Sequence, residues 1–245
     1  MGVFEIERGV WGFSRWIFNC WIVESDAGGV VFDPGLASSA AAVLDWAREH
    51  PIAALTATHL HSDHVGGMPA LARSTKAPVR LPERARRYVE DGERPRSPGL
   101  REVARIARVF GDQPFDVRAI PELIQGSRAA GYSGLSCKWP RDLSPASYLA
   151  DGDSLPGAPS WRVLRTAGHT DDSTCFFNEE RGVLISGDAV LGCGGRAWFN
   201  PELTDTRLAR ETEARLRELR VELLLPGHGR WVRGADVMRD ARSSR

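Results

Sequence analysis

The pattern of apolar and polar positions divides the chain into two strand-rich stretches joined by a longer, less regular one. Residues 3–13 are mixed, residues 15–24 (RWIFNCWIVE) are dense in aromatic and β-branched side chains, and residues 29–32 run into Asp33-Pro34-Gly35. Three strands are expected there, the last two joined by a hairpin turn at Asp26-Ala27-Gly28-Gly29. Residues 37–50 predict a helix: Ser38 or Ser39 can cap it, Val43, Leu44 and Trp46 supply its apolar positions, and Pro51 stops it. His50 at its C-terminal end suits the helix dipole and reads as structural. An apolar run over residues 52–59 predicts a buried strand, residues 68–74 a helix and residues 78–81 a short strand, so strand and helix alternate.

That rhythm breaks between residues 83 and 160. Residues 84–91 and 100–110 read as helices in a region rich in arginine (Arg84, Arg86, Arg87, Arg94, Arg96, Arg101, Arg105 and Arg108), a set best read as a solvated face. Residues 126–147 hold Gly, Ser and Pro with isolated aromatics such as Tyr132 and Trp139, and read as loop. An irregular stretch of this length in a compact domain points to a lid or substrate-binding insertion. Regular structure returns with a strand at 161–167 leading into Gly168-His169-Thr170, and a hairpin of residues 173–178 and 182–186 that ends at Gly187-Asp188. A charged amphipathic helix (201–219), an apolar strand (221–225) ending in Pro226-Gly227-His228-Gly229, and a short helix (235–242) complete the chain. Two strand-rich halves with flanking helices fit an α/β (α+β) protein, compatible with a four-layer sandwich.

Composition narrows the partners. The chain is 42% hydrophobic and 26% charged, ordinary for a soluble protein with a sizeable core. Its formal net charge is zero, which supplies no overall pull toward nucleic acid or an anionic membrane. The N-terminus lacks a basic region followed by an apolar one, no apolar run approaches a membrane span, and Ile6 stands where a myristoylation signal needs Ser or Thr. Cys20, Cys137, Cys175 and Cys193 are scattered and read as reduced thiols. A cytoplasmic enzyme is therefore expected.

The candidate chemistry is concentrated in Thr58-His59-Leu60-His61-Ser62-Asp63-His64-Val65-Gly66-Gly67, where a strand gives way to a helix. His59 and His61, two apart at a strand end, point to one side. Asp63 and His64 fall on the turn, with Gly66 and Gly67 expected to let the backbone bend sharply before the helix. Neutral imidazoles and a carboxylate suit a divalent cation such as zinc, manganese or iron(II). Five of the six histidines sit at strand ends beside Gly or a turn, where ligands from distant sequence can converge. His59, His61, Asp63, His64, His169, Asp188 and His228 are too many for one tetrahedral zinc but fit two metals sharing a carboxylate.

The pattern His59-x-His61-x-Asp63-His64, followed by His169, Asp188 and His228, resembles the metallo-β-lactamase superfamily of binuclear metallohydrolases. Residues 30–35 (VVFDPG) likewise resemble the strand ending in Asp-x-Gly of that family. The resemblance implies a single domain over residues 1–245, an αββα sandwich with a helical and loop insertion at 83–160. It implies that His59, His61 and His169 hold one metal, that Asp63, His64 and His228 hold the other, and that Asp188 bridges them. Asp33 resembles the residue that supports a ligand histidine from behind.

Two cations about 3.5–4 Å apart can share a water and lower its pKa to about 7, so a metal-bridging hydroxide needs no protein nucleophile. The absence of a G-x-S-x-G elbow agrees. Asp63 and Asp188 are the candidates to accept the water's proton, and Trp139, Trp161, Trp198 and Phe199 are candidates to line a pocket. The resemblance implies that β-lactamases place Cys or Ser where this chain has Asp188, whereas thioesterases, lactonases and several nucleases use Asp. Residues 187–196 are similar to hydroxyacylglutathione hydrolases, but that family adds a helical glutathione-binding domain and only 17 residues follow His228. The expectation is a hydrolase with two divalent ions, zinc first, acting on a small acyl ester, thioester or lactone. The alternatives are an iron-dependent persulfide-oxidising enzyme, whose relatives use fewer of these ligands, and a nuclease of the same fold.

Overall fold

In the computed structural model, which describes residues 2–93, 99–133, 136–137 and 139–244, the mixed N-terminal stretch is two strands. Gly9, at a φ of 73°, separates β1 (Phe4–Glu7) from β2 (Val10–Arg15). β3 (Phe18–Ser25) returns antiparallel to β2, and a two-residue turn at Asp26-Ala27 leads into β4 (Gly28–Phe32). The chain passes through α1 (Ala37–Trp46) to β5 (Ile52–Thr56), parallel to β4. It then passes through α2 (Ser62–Val65) and α3 (Met68–Thr75) to β6 (Val79–Pro82), parallel to β5. Four short helices follow, α4 (Arg86–Val89), α5 (Leu100–Arg105), α6 (Ala107–Gly111) and α7 (Ala119–Ala129), then a small hairpin of β7 (Tyr132–Ser133) and β8 (Ser136–Cys137). With β9 (Ser147–Leu149) the first sheet closes in the order β1-β2-β3-β4-β5-β6-β9.

The second sheet uses β10 (Ser154–Leu155), β11 (Ala158–Arg165), β12 (Thr174–Asn178) and β13 (Val183–Gly187). After a hairpin of β14 (Val190–Cys193) and β15 (Arg196–Phe199) and the helix α8 (Thr206–Arg217), it takes β16 (Leu223–Pro226) parallel to β13, then β17 (Val232–Arg233). Its order is β10-β11-β12-β13-β16-β17.

The apolar alternation decides how the layers stack. In β3, Trp21 and Val23 face the second sheet, where they meet Trp161, Val163, Phe176 and Leu225, while Cys20 and Ile22 face outward under α1 and α3. At about 1.5–3 kcal/mol for each fully buried apolar side chain, slipping this register by one residue would be prohibitive. Leu216 of α8 covers the outer face of the second sheet through Leu184 and Leu224. The result is the expected four-layer αββα sandwich.

Some elements differ from expectation. Residues 235–242 form turns, because Val237 N donates to Val221 O (2.7 Å) and Arg242 N to Ala197 O (2.9 Å), tying the segment to its neighbours. α8 starts at Thr206, capped by Asp205, since residues 201–205 are spent wrapping the Gly168 loop. α7 extends to Ala129 into the stretch read as loop; Pro121 lies in its first turn, where a missing N–H leaves no intrahelical bond unmade. The β14–β15 hairpin, turning at Gly194-Gly195, was not anticipated. The arginines at 84, 86, 101, 105 and 108 are exposed, as a solvated face should be, while Arg94 and Arg96 lie outside the described residues. No helix among the described residues is long and apolar enough to cross a membrane.

Candidate metal centre

The ends of β5, β11, β13 and β16 point to one edge of the sandwich, and the loops that follow them carry the histidines and aspartates. Backbone and side-chain bonds sew those loops together. Thr174 N donates to Thr58 O at 2.9 Å and Gly227 N to Gly187 O at 2.8 Å. Asn19 Nδ2 donates to Pro226 O (2.9 Å) and Gly229 O (2.7 Å), and Leu60 N donates to Asp172 Oδ2 at 2.9 Å. Asp63 and His64 lie on α2 rather than on an open turn. Gly66 has an ordinary right-handed helical backbone, and Gly67 a similar one with a φ of −88°, so the bend expected of them is not their role. Their role is room: a Cβ on Gly66 would sit 2.5 Å from Gly35 O and 2.6 Å from Gly126 Cα. The metal motif, the Asp33 turn and α7 meet at these three glycines.

All seven side chains expected at the site converge there. Their ligand atoms form the trios His59–His61–His169 and Asp63–His64–His228, each within 4.8 Å, and His59 also groups with His64 and Asp188. Asp188 sits between the trios: Oδ2 is 3.2 Å from His228 Nε2 and 3.5 Å from His169 Nε2, and Oδ1 is 3.5 Å from His64 Nε2. Asp63 Oδ2 is 3.2 Å from His228 Nε2.

Hydrogen bonding fixes which imidazole nitrogens are bare. Thr58 Oγ1 donates to the Asp33 carboxylate (2.8 Å), so its lone pairs are left to accept from His59 Nδ1 at 3.2 Å. His59 Nε2 is then unprotonated, and it is buried without a hydrogen-bond partner. His169 Nδ1 lies 2.7 Å from Glu202 O, an acceptor only, which leaves Nε2 bare and 3.2 Å from His61 Nδ1. Two nitrogens bound to one tetrahedral ion at about 2.0–2.1 Å lie roughly 3.3 Å apart, so this pair is spaced as ligands are. His64 Nδ1 is 3.0 Å from Asp33 Oδ2, an ion-pair contact and not a hydrogen bond, and its Nε2 faces Asp188 at 3.5 Å and Asp63 at 3.8 Å. A buried, unpartnered lone pair at His59 beside this donor set fits a divalent cation.

The electrostatics separate the two trios. Burial, reinforced by His64 and His61, holds His59 well below the usual imidazole range, and burial brings His169 down to about 4 despite Asp188. Burial opposes charge on His228 as well, but Asp188 and Asp63 outweigh it and raise the group to about 10. His64 is raised by Asp188, Asp33 and Asp63 against its burial. Burial would raise Asp188, yet His228 and His64 hold it well below the usual carboxylate range. A cation held at the second trio would compete with those protons.

Two buried acids went unnoticed in the sequence. Asp172 holds Leu60 N across the two loops, and burial pushes it up to about 6. Glu202 is pushed up to about 7 by burial and then by Asp188 and Asp63, and its side chain lines the site. Asp172 stands three residues after His169, a proximity that could have drawn notice; Glu202 carried no such signal. Trp139, Trp161, Trp198 and Phe199 are buried core residues and do not line the cavity. Its volume is about 310 Å³, and its aromatic lining comes from Phe18, Phe110 and Tyr132.

Residues 15–228 match the model of the metallo-beta-lactamase superfamily, and the chain belongs to that family. A probable metallo-hydrolase, YflN of Bacillus subtilis (strain 168), is 26% identical over 97% of this chain and 90% of its own length. A hydroxyacylglutathione hydrolase of Francisella tularensis subsp. holarctica is 26% identical over 54% of this chain and 50% of that protein. Among solved structures, BLEG-1 B3 metallo-beta-lactamase superposes with a TM-score of 0.61 at 21% identity, covering 90% of this chain and 91% of that one. TTHA1623 in a di-iron-bound form gives 0.57 at 23% identity, covering 91% and 92%. These two likenesses are likenesses of fold.

Proposed function

We propose that this protein is a hydrolase that holds two divalent metal ions, zinc first, and cleaves a small acyl ester, thioester or lactone. The observation that carries the reading is the position of Asp188, within 3.5 Å of imidazoles from both trios, which suits a carboxylate shared between two cations. His59, His61 and His169 would hold one ion, Asp63, His64 and His228 the other, with Asp188 between them. Bound there, such ions supply Lewis acidity toward an acyl carbonyl and activate water near neutral pH. The chain's own residues do the rest. Asp33, Thr58 and Glu202 O orient His64, His59 and His169 from behind; the apolar side of the cavity excludes bulk water. Asp63 and Asp188 line the cavity beside the imidazoles and could accept the water's proton, as could Glu202, which lines the same cavity.

A nuclease reading has less support. Phosphate backbones are held by Lys and Arg, and none lines the cavity among the described residues. An iron-dependent oxidase of the same fold is distinguished by experiment. Elemental analysis of purified protein should give about two metals per chain, with hydrolysis of generic esters or lactones and no oxygen uptake. Chelation should abolish hydrolysis, metal should restore it, and His61→Ala should lower it by at least about 100-fold. Activity that survives chelation or the substitution would defeat the assignment.

A further inference from the structure

The cavity has two unlike sides. One is the cluster of imidazoles and carboxylates; the other is apolar, built from Ile17 of the β2–β3 turn and from Val103, Ile106, Phe110 and Leu123 of the helices beyond β6. Its charged lining groups other than histidine are all acidic, Asp63, Asp188 and Glu202, and no Lys or Arg lines it among the described residues. Arg105 turns aside to the carbonyl of Pro201 at 3.4 Å. Outside the metal centre, which takes up Asp63 and Asp188, an anionic substrate would thus meet no countercharge in the cavity lining and one further carboxylate, Glu202.

The apolar side does not stop at the mouth. Trp16 joins Phe110 to Phe115, with ring centroids 5.5 Å and 4.7 Å away. Beyond them Phe115 is 61% exposed, Val117 69%, Ile120 40% and Ile124 50%. Ile120 and Ile124 lie one turn apart on α7, on the same side of Leu123, so rim and wall belong to one helix. All four fall within residues 115–124, and exposed apolar side chains concentrated in this way, rather than scattered singly, mark a surface that binds something. The cavity, open at its mouth, has a volume of about 310 Å³. At roughly 30 Å³ for each water-sized group, it takes on the order of ten non-hydrogen atoms. A longer chain must leave over the rim.

We propose that the site takes an uncharged substrate whose acyl group carries a straight apolar chain, laid along Phe110 and Leu123 and out over Phe115, Ile120 and Ile124. This rests on the hydrolase reading of the same site and names the substrate class for it. The metal centre receives the acyl head, the wall of α5, α6 and α7 covers the first part of the chain, and the rim covers what protrudes.

The test is calorimetric titration of the metal-loaded protein with straight-chain primary amides, butanamide to decanamide, which keep the neutral acyl head and chain and resist cleavage. Affinity should rise about fourfold per methylene while the chain is covered, and less steeply on the rim. Phe110→Ala should flatten the early part of that rise, and Ile120→Ser with Ile124→Ser, exposed positions that leave the core intact, the late part. The same amides ending in a carboxylate should bind at least about tenfold more weakly than their neutral counterparts. Affinity independent of chain length, or equal affinity for the carboxylated chains, would overturn the proposal. So would a rim that serves a second copy of the chain: the double variant would then turn a dimer into a monomer and leave the amide series unchanged. Amides that bind as expected while no ester or lactone is cleaved would defeat the hydrolase reading alone.

Discussion

Asp33 Oδ2 lies 3.0 Å from His64 Nδ1, both side chains buried, and the same carboxylate accepts from Thr58 N at 2.7 Å and Thr58 Oγ1 at 2.8 Å. One acid therefore orients an imidazole of each trio, His64 directly and His59 through the Thr58 hydroxyl. Asp33→Asn is the informative change, because Asp33 has a φ of 53°, a conformation Asn tolerates. The amide keeps one acceptor and loses the charge. Metal affinity, read by competition with a chromophoric chelator, should fall by about 10- to 100-fold while the fold survives. Unchanged affinity would reduce Asp33 to a turn residue.

The bond from Leu60 N to Asp172 joins the His59–His61 loop to the loop of His169. Asp172→Ala leaves that buried N–H without its acceptor, at a cost of about 1–3 kcal/mol. In a chain of this size the melting temperature should drop by roughly 2–10 °C. A melting curve identical to the parent's would show that water replaces the carboxylate.

Glu7 ties the first sheet to the second, through Arg181 at 2.5 Å and Arg233 at 2.7 Å. Its partial burial favours the neutral acid, but Arg233 and Arg181 outweigh that and lower its pKa below the ordinary 4.5. A lowered carboxylate pKa stabilises the fold above the unfolded value, and that stabilisation is lost as pH falls through the folded one. Glu7→Gln should therefore cost at most about 1 kcal/mol at neutral pH, since the group is partly solvated. The gap between variant and parent in denaturant midpoint should narrow as the pH falls below the ordinary carboxylate range and close below the folded-state pKa of Glu7. A gap that persists in acid would mean packing, not charge.

The layers were legible in the two strand-rich halves with flanking helices, and the seven converging side chains in the dense spacing of residues 59–64 together with the family resemblance that added His169, Asp188 and His228. Trp21 and Ile22 declare two buried faces by their neighbours alone. Asp172 and Glu202 were not legible. Each matters through a partner far away in sequence, Leu60 for the first and Asp188 for the second; His169 three residues before Asp172 is a weak local cue, and Glu202 has none. Gly66 next to Gly67 suggests a bend in sequence, but its small size serves Gly35 and Gly126, which the backbone brings close only once α7 is seated. α7 itself was hidden by Pro121 and Gly126, breakers in sequence that the fold tolerates for separate reasons.

Gly126 offers a test in which two effects oppose each other. In an unencumbered helix interior, Gly→Ala stabilises by about 1 kcal/mol. Here a Cβ would stand 3.0 Å from both Gly35 O and Gly66 Cα, backbone atoms that cannot rotate away. Overpacking against fixed neighbours typically costs about 1–3 kcal/mol, so Gly126→Ala should destabilise on balance. Relief would come from lifting α7, which carries Leu123 on the cavity wall and Ser127, whose Oγ donates to Ser62 Oγ at 2.7 Å. Substrate binding should weaken several-fold more than metal affinity, because α7 supplies the wall and none of the seven side chains of the centre. Calorimetric metal titration and the KM for an ester separate the two. A variant more stable than the parent would show that α7 is not seated on the Gly35–Gly66 backbone.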